Sequence, residues 1–100
     1  MSDEMTRSTG NVFEDLGFPP DEAENLRVRS ILMGSIRTVI EAEGLTQARA
    51  AKLFGVSQPR ISDLVRGKIE LFSIDGLVNM LASAGRHVEV SVQPAGDPAA

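Results

Sequence analysis

The stretch from Leu45 to Lys68, LTQARAAKLFGVSQPRISDLVRGK, decides the fold. Thr46 and Ser57 are good N-caps for two short helices, and Gly55 between them permits the positive φ of a tight turn. Ala51 is small enough for the two helices to cross closely. The apolar side chains that fill the space between them are Val56, Ile61 and Leu64. This pattern predicts a helix-turn-helix whose second helix can enter the major groove of DNA.

Helical spacing of apolar residues predicts further helices on both sides of this stretch. A long helix is expected from Asp21 to Glu43, with acids in its first turn and Gly44 as its left-handed terminator. Ser73 is expected to cap a last helix over Ile74–Ala84. The inward faces of the helices are predicted to contain Leu26, Val28, Ile31, Leu32, Ile36, Val39, Ile40, Ile61, Leu64, Val65, Leu77, Val78 and Leu81.

After Gly85 the period changes from helical to alternating. Val88, Val90 and Val92 share one face, which predicts a half-buried C-terminal β-strand. A lone strand with an apolar face is unstable, so we expect it to pair with the same strand of a second chain across a two-fold axis. Leu81, from the last helix, is expected to join this dimer interface.

Composition limits the class of protein. Residues 11–92 are predicted to form one domain between disordered tails at 1–10 and 93–100. There are no cysteines and one histidine, so neither a thiolate zinc site nor a histidine cluster is expected, and we expect no metal, no cofactor and no enzyme activity. Because there is no secretory signal and no run of ~20 apolar residues, a cytoplasmic protein without membrane partners is predicted.

Charge is distributed unevenly along the chain, whose net charge is −4. From Met1 to Asn25 there are seven acids and one base, whereas from Thr46 to Lys68 there are five bases and one acid. A local positive patch is what phosphate binding requires, and whole-chain charge is a poorer guide. The segment predicted to form the helix-turn-helix is therefore also the segment suited to nucleic acid.

A family resemblance rests on these same residues. The motifs GLTQ at 44–47, Ala51, GVSQ at 55–58 and ISDLVRGK at 61–68 resemble the XRE/Cro-type helix-turn-helix proteins of bacteria and phages, over roughly Ile36 to Leu81. The resemblance implies a mainly α fold: a four- to five-helix bundle with a lambda-repressor-like helix-turn-helix and one C-terminal β-strand. It also implies a sequence-specific DNA-binding transcriptional regulator that acts as a homodimer on a double-stranded operator.

A second layer of resemblance is found outside the helix-turn-helix. Asn11–Gly17, Leu71–Asp75 and Leu81–Val90 resemble a compact subgroup that includes HigA-type antitoxins. In that subgroup the protein is encoded beside an mRNA-cleaving toxin and represses its own operon. The hypothesis is thus an autorepressing antitoxin of a type II toxin–antitoxin operon. The alternatives are a regulator without a toxin partner, or a protein-interaction module that uses the fold as scaffold.

The resemblance also assigns roles to side chains. Base reading falls to Gln58, Arg60 and Ser62, since Gln can bond adenine through N6 and N7 and Arg can bond guanine. The alternative role for Arg60 is a phosphate contact. The alternative for Arg49 and Lys52 is that their side chains are only solvated and contact no phosphate. Pro59 departs from the commoner choices at its position, which makes the base-reading pattern less transferable. The phosphate-binding set is Gln47, Arg49, Lys52, Ser57, Arg66 and Lys68.

The segment before the long helix contains an apolar group in an acidic context. Its members are Val12, Phe13, Leu16 and Phe18. One hypothesis is that these side chains cover the first and fourth predicted helices of their own chain. The other is that they contact a basic toxin, because complementary charge speeds such an encounter and aromatic side chains anchor it.

Overall fold

The computed structural model describes residues 11–95, and within them the chain is mainly helical, as predicted. The tail predicted at 1–10 and the end of the tail predicted at 93–100 lie outside the described residues. The elements in chain order are α1 (Val12–Asp15), α2 (Pro20–Ala42), α3 (Gln47–Phe54), α4 (Gln58–Val65), a 3₁₀ helix (Ile69–Leu71) and α5 (Ile74–Ser83).

The chain divides into two compact units. The first contains residues 11–27 and 89–95 of the described chain, and the second is Val28–Val88. The second unit holds the main hydrophobic core, in which α3 packs against α4 and α5. The largest fully buried side chains of this core are Phe54, Ile36, Ile61, Leu64 and Leu77.

The helix caps predicted from the sequence are confirmed. Thr46 Oγ1 accepts a hydrogen bond from the Arg49 N–H at 3.2 Å, and Ser57 and Ser73 cap α4 and α5 in the same manner. A hydrogen bond from the Ser73 side chain, with smaller contributions from backbone N–H groups, lowers the pKa of the Asp75 carboxyl below its ordinary value. The hydrogen bonds that the side chains of Thr46, Ser57 and Ser73 accept satisfy backbone N–H donors that a helix leaves unpaired at its N-terminus.

Two of the side chains predicted to face inward are exposed, and for these the prediction was wrong. Ile31 is 53% exposed and Val65 is 38% exposed. The buried stripe of α2 runs through Leu32 and Ile36, and successive residues of a helix are about 100° apart, so Ile31 falls to one side of it. Val65 is displaced in the same way from its buried neighbour Leu64 at the end of α4. The remaining predicted side chains are buried or half-buried.

The predicted C-terminal strand is not formed in the single chain. Within residues 11–95 no residue lies in a β-strand. Val88 packs against the core of the second unit, whereas Val90 is 80% exposed and Val92 is 91% exposed. A strand is defined by ladder hydrogen bonds to another strand, so the strand and its pairing with a second chain stay predictions.

Leu81 was expected at the dimer interface together with the three valines. Its side chain is only 4% exposed, and it belongs to the core of its own chain. A side chain enclosed in this way has little surface left for a partner. If this part of the chain forms a dimer interface, the side chains available for it are those of Val90 and Val92, which are exposed.

The apolar segment before α2 forms the one-turn helix α1. Asn11 caps it, since its Oδ1 accepts from the Phe13 N–H at 2.9 Å. The rings of Phe13 and Phe18 meet edge to face with centroids 6.3 Å apart, while Val12 and Leu16 are exposed. Aromatic pairs in this geometry stabilise a local turn. The two hypotheses for this segment, that its apolar side chains cover the chain's own helices or that they contact a partner, both stay predictions.

A pair of glycine substitutions tests the turn between α3 and α4. Gly55 has a φ of +70°, and a Cβ at this position would lie 3.1 Å from Ser83 Oγ. Because a left-handed backbone disfavours a Cβ, we expect Gly55→Ala to lower the free energy of unfolding by about 1–2 kcal/mol. The measurement is urea denaturation followed by circular dichroism.

The control for this substitution is Gly34→Ala inside α2. A Cβ at Gly34 would meet nothing within 4 Å, so alanine should raise the free energy of unfolding by about 0.5–1 kcal/mol through its helix propensity. Equal effects of the two substitutions would contradict the assignment of a strained turn at Gly55.

Candidate nucleic-acid interface

The helices α3 and α4 form the predicted helix-turn-helix. The turn is made by Gly55 in the left-handed conformation, and the Val56 N–H donates to the Ala51 carbonyl at 3.0 Å. Ile61 and Leu64 are fully buried on the inner face of α4. Since one face of α4 is used for packing, the side chains around its first turn remain open to solvent.

The three predicted base-reading residues lie within the first five residues of α4. Gln58, its first residue, is exposed, while Arg60 and Ser62 are half-buried. Gln58 and Ser62 are four residues apart and therefore share one face of the helix. Pro59 lies in the first turn, where its missing N–H leaves no intrahelical bond unmade. The assignment of these three residues to base reading stays a prediction.

The predicted phosphate-binding residues come from α3, from the cap of α4 and from the end of α4. Gln47 is the exposed first residue of α3, as Gln58 is of α4. Ser57 Oγ accepts from the Arg60 N–H at 3.3 Å, and its own O–H can still donate to an anion. Arg49 and Lys52 are exposed on α3, Lys52 in the last turn, where a cation also suits the negative helix end.

The two basic residues at the far end of α4 differ in their surroundings. Arg66 follows the helix and is exposed. Lys68 is half-buried, and its Nζ lies 3.8 Å from Asp63 Oδ1. A carboxylate at this distance offsets part of the ammonium charge. Arg66 is therefore the stronger candidate for a phosphate contact.

The electrostatics of the helix N-termini separate α3 and α4 from the other helices. Neither α3 nor α4 has an acidic residue in its first turn. The positive ends of these two helices are therefore not neutralised by their own side chains, and such ends attract phosphate. The first turns of α1, α2 and α5 carry the acids Glu14 and Asp15, Asp21 and Glu22, and Asp75.

Two residues near this surface were missed by the sequence analysis. The Phe72 ring lies under the guanidinium of Arg60, whose Cζ is 4.3 Å from the ring centroid. Arg37 Nη2 donates to the Leu64 carbonyl at 3.4 Å, in the last turn of α4. Both are contacts between segments distant in sequence, so no local spacing could have indicated them.

Other kinds of site find no support in the described part of the chain. Residues 11–95 contain no group of His, Cys, Asp and Glu side chains that could hold a metal ion. None of the helices in that range is long and apolar enough to cross a membrane.

The fold and the exposed first turn of α4 define a helix-turn-helix domain, and comparison with known proteins identifies its type. A family model described as a helix-turn-helix domain matches residues 12–93. A solved structure named as an XRE family transcriptional regulator is 31% identical, with a TM-score of 0.67; the match covers 77% of this chain and 84% of that one. Among curated proteins, none matches.

The chain therefore belongs to the XRE-type helix-turn-helix family, as its motifs predicted. The resemblance to the HigA-type subgroup stays a prediction.

Proposed function

We propose that this protein is a sequence-specific transcriptional regulator that binds operator DNA as a homodimer and has no catalytic role. The observation that carries the proposal is the exposed first turn of α4, where Gln58 and Arg60 stand beside a helix end free of acidic side chains. Membership of the XRE-type family supports it. A cytoplasmic location follows from the proposal, because the operator lies in that compartment.

In the proposed complex, phosphate contacts and base contacts have different roles. Phosphate contacts from Gln47, Ser57 and Arg66 fix the position of the domain on the duplex, and they carry no sequence information. Base contacts from Gln58 and Arg60 then read the groove, with the Gln58 amide suited to adenine N6 and N7. A single short helix reads few base pairs, so a second copy about one DNA turn away, roughly 34 Å, completes the site.

Selection of duplexes from a randomised DNA library tests this function. We expect the unaltered chain to enrich an inverted repeat whose half-sites are about one helical turn apart. Enrichment of no sequence at moderate salt, with only weak binding to every duplex at low salt, would contradict the proposal. That outcome would favour a protein-interaction module that uses the helix-turn-helix as scaffold.

Phosphate contacts predict a difference between two neighbouring substitutions. Arg66→Ala should weaken binding to specific and unrelated duplexes alike and reduce the slope of log affinity against log salt by about one. Lys68→Ala should have a smaller effect, because Asp63 already offsets its charge. Affinities measured by fluorescence anisotropy over a salt series check this. A change of base preference in Arg66→Ala would contradict the phosphate role.

A finer proposal is that the regulator is an autorepressing antitoxin of a type II toxin–antitoxin operon. The exposed Val12 and Leu16 beside the Phe13–Phe18 pair support it, since they form an apolar surface next to acidic residues. A toxin that grips RNA is basic, so charge and apolar contacts would both favour docking here. A regulator of the same family without a toxin partner is the alternative.

Deletion of residues 1–18 tests the docking surface. If it serves a toxin, the truncated chain should keep its melting temperature and its DNA affinity and lose binding to the product of the adjacent reading frame. The double substitution of Val12 and Leu16 by serine is the finer control, because both side chains are already exposed. A large fall in melting temperature on deletion would instead assign the segment to the chain's own stability.

A further inference from the structure

The contact between Arg60 and Phe72 joins the first turn of α4 to the core. Arg60 Cζ lies 4.3 Å from the centroid of the Phe72 ring. The ring is only 3% exposed and belongs to the hydrophobic core of the second unit. A cation held over a ring that is shielded from water is attracted more strongly than one at an exposed site.

Hydrogen bonds restrain both the segment that bears the Phe72 ring and the backbone of Arg60. Arg29 Nη1 donates to the carbonyls of Phe72 and Ile69, each at 3.2 Å, which ties the segment bearing the ring to α2. The Arg60 backbone N–H donates to the Ser57 cap. Arg60 is therefore restrained at its backbone by the helix cap and at its guanidinium by the ring.

The contact with the ring leaves the hydrogen-bond donors of the guanidinium available. A phenyl ring offers no strong acceptor, so the N–H donors around the edge of the planar group can still pair with another partner. That edge is what pairs with guanine O6 and N7. Arginine has many rotamers, and a guanidinium already fixed over a ring loses less freedom when it binds.

We propose that Phe72 is a positioning residue for DNA recognition, which fixes the guanidinium of Arg60 and thereby gives the protein a preference for guanine at the base pair that Arg60 faces. This inference rests on the proposed function. Phe72 itself touches no base; its effect passes through Arg60.

The test compares Phe72→Leu with the matched substitution Phe54→Leu. Both replace a phenylalanine of the same core, buried to a similar degree, and the Phe72 ring is the one that contacts the Arg60 guanidinium. Two duplexes are used: the one selected by the unaltered chain, and the same duplex with guanine replaced by adenine at the pair that loses its preference in Arg60→Ala.

We expect Phe72→Leu to reduce the ratio of the two affinities by about tenfold, and Phe54→Leu to leave it unchanged at equal folded fraction. In an Arg60→Ala background, Phe72→Leu should have no further effect on the ratio. Phe72→Met removes the ring and keeps a flexible apolar side chain in the core, so it should also lose the guanine preference.

Three outcomes would overturn the inference: an unchanged ratio in Phe72→Leu, independent effects of Phe72→Leu and Arg60→Ala, or a guanine preference retained in Phe72→Met. The last applies even if Phe72→Leu does not fold. If the unaltered chain selects no duplex, the proposed function fails and the inference fails with it. If it selects one and any of the three outcomes is found, only the inference fails.

Discussion

Substitution of Val90 and Val92 by lysine is expected to convert a dimer into a monomer and to lower affinity for the full inverted repeat by about 10²- to 10⁴-fold, because two linked half-sites bind far more tightly than one. Both side chains are almost fully exposed, so the substitutions remove no core contact. Across a two-fold axis the paired strands run antiparallel, so the lysines of the two chains would lie close together on one face, and like charges so placed repel.

The matched control places lysine at Glu89 and Ser91, on the opposite face of the predicted strand. These substitutions should leave the dimer intact, since successive residues of a strand point to opposite faces. Light scattering at micromolar concentration measures the oligomeric state of each variant. A monomeric unaltered chain, or a dimer that survives lysine at both valines, would contradict pairing through this segment.

Gln58→Ala is expected to weaken binding to the preferred duplex by about 1–3 kcal/mol, or about 5- to 150-fold, with the loss confined to one base pair. The matched substitution is Gln47→Ala. Each glutamine is the exposed first residue of its helix, but only Gln58 begins the helix expected to enter the groove.

The two glutamines should therefore differ in kind. Gln47→Ala is expected to weaken binding to all duplexes alike, because it removes a contact with a DNA phosphate. Repeating the library selection with each variant measures both effects. A base preference that is unchanged in Gln58→Ala would show that α4 is not the helix that reads the groove.

Features that depend on neighbours in sequence could be predicted from the chain alone. The caps at Thr46, Ser57 and Ser73 and the left-handed turn at Gly55 each follow from a residue type at a fixed local offset, and each is present. The start of α4 at Gln58 followed from the same spacing. Such features are local because a cap or a turn is complete within four or five residues.

Features that depend on distant segments could not be predicted. The stacking of Arg60 on Phe72 and the bond from Arg37 to the Leu64 carbonyl join separate helices or turns. The exposure of Ile31 depends on which side of α2 the other helices cover, and hydrophobicity alone does not fix that. The predicted strand that contains Val88, Val90 and Val92 requires hydrogen bonds from a second strand, and residues 11–95 of one chain contain none.

The central claim, that the segment from Thr46 to Lys68 binds DNA, is tested most directly by nuclear magnetic resonance of the ¹⁵N-labelled full chain titrated with the selected duplex. We expect the largest changes in backbone amide shifts to fall within Thr46–Lys68, centred on Ser57–Arg60, and an unrelated duplex to give smaller changes in the same region. Changes concentrated in Val12–Phe18 or in α5, with the amides of Ser57–Arg60 unaffected, would contradict it.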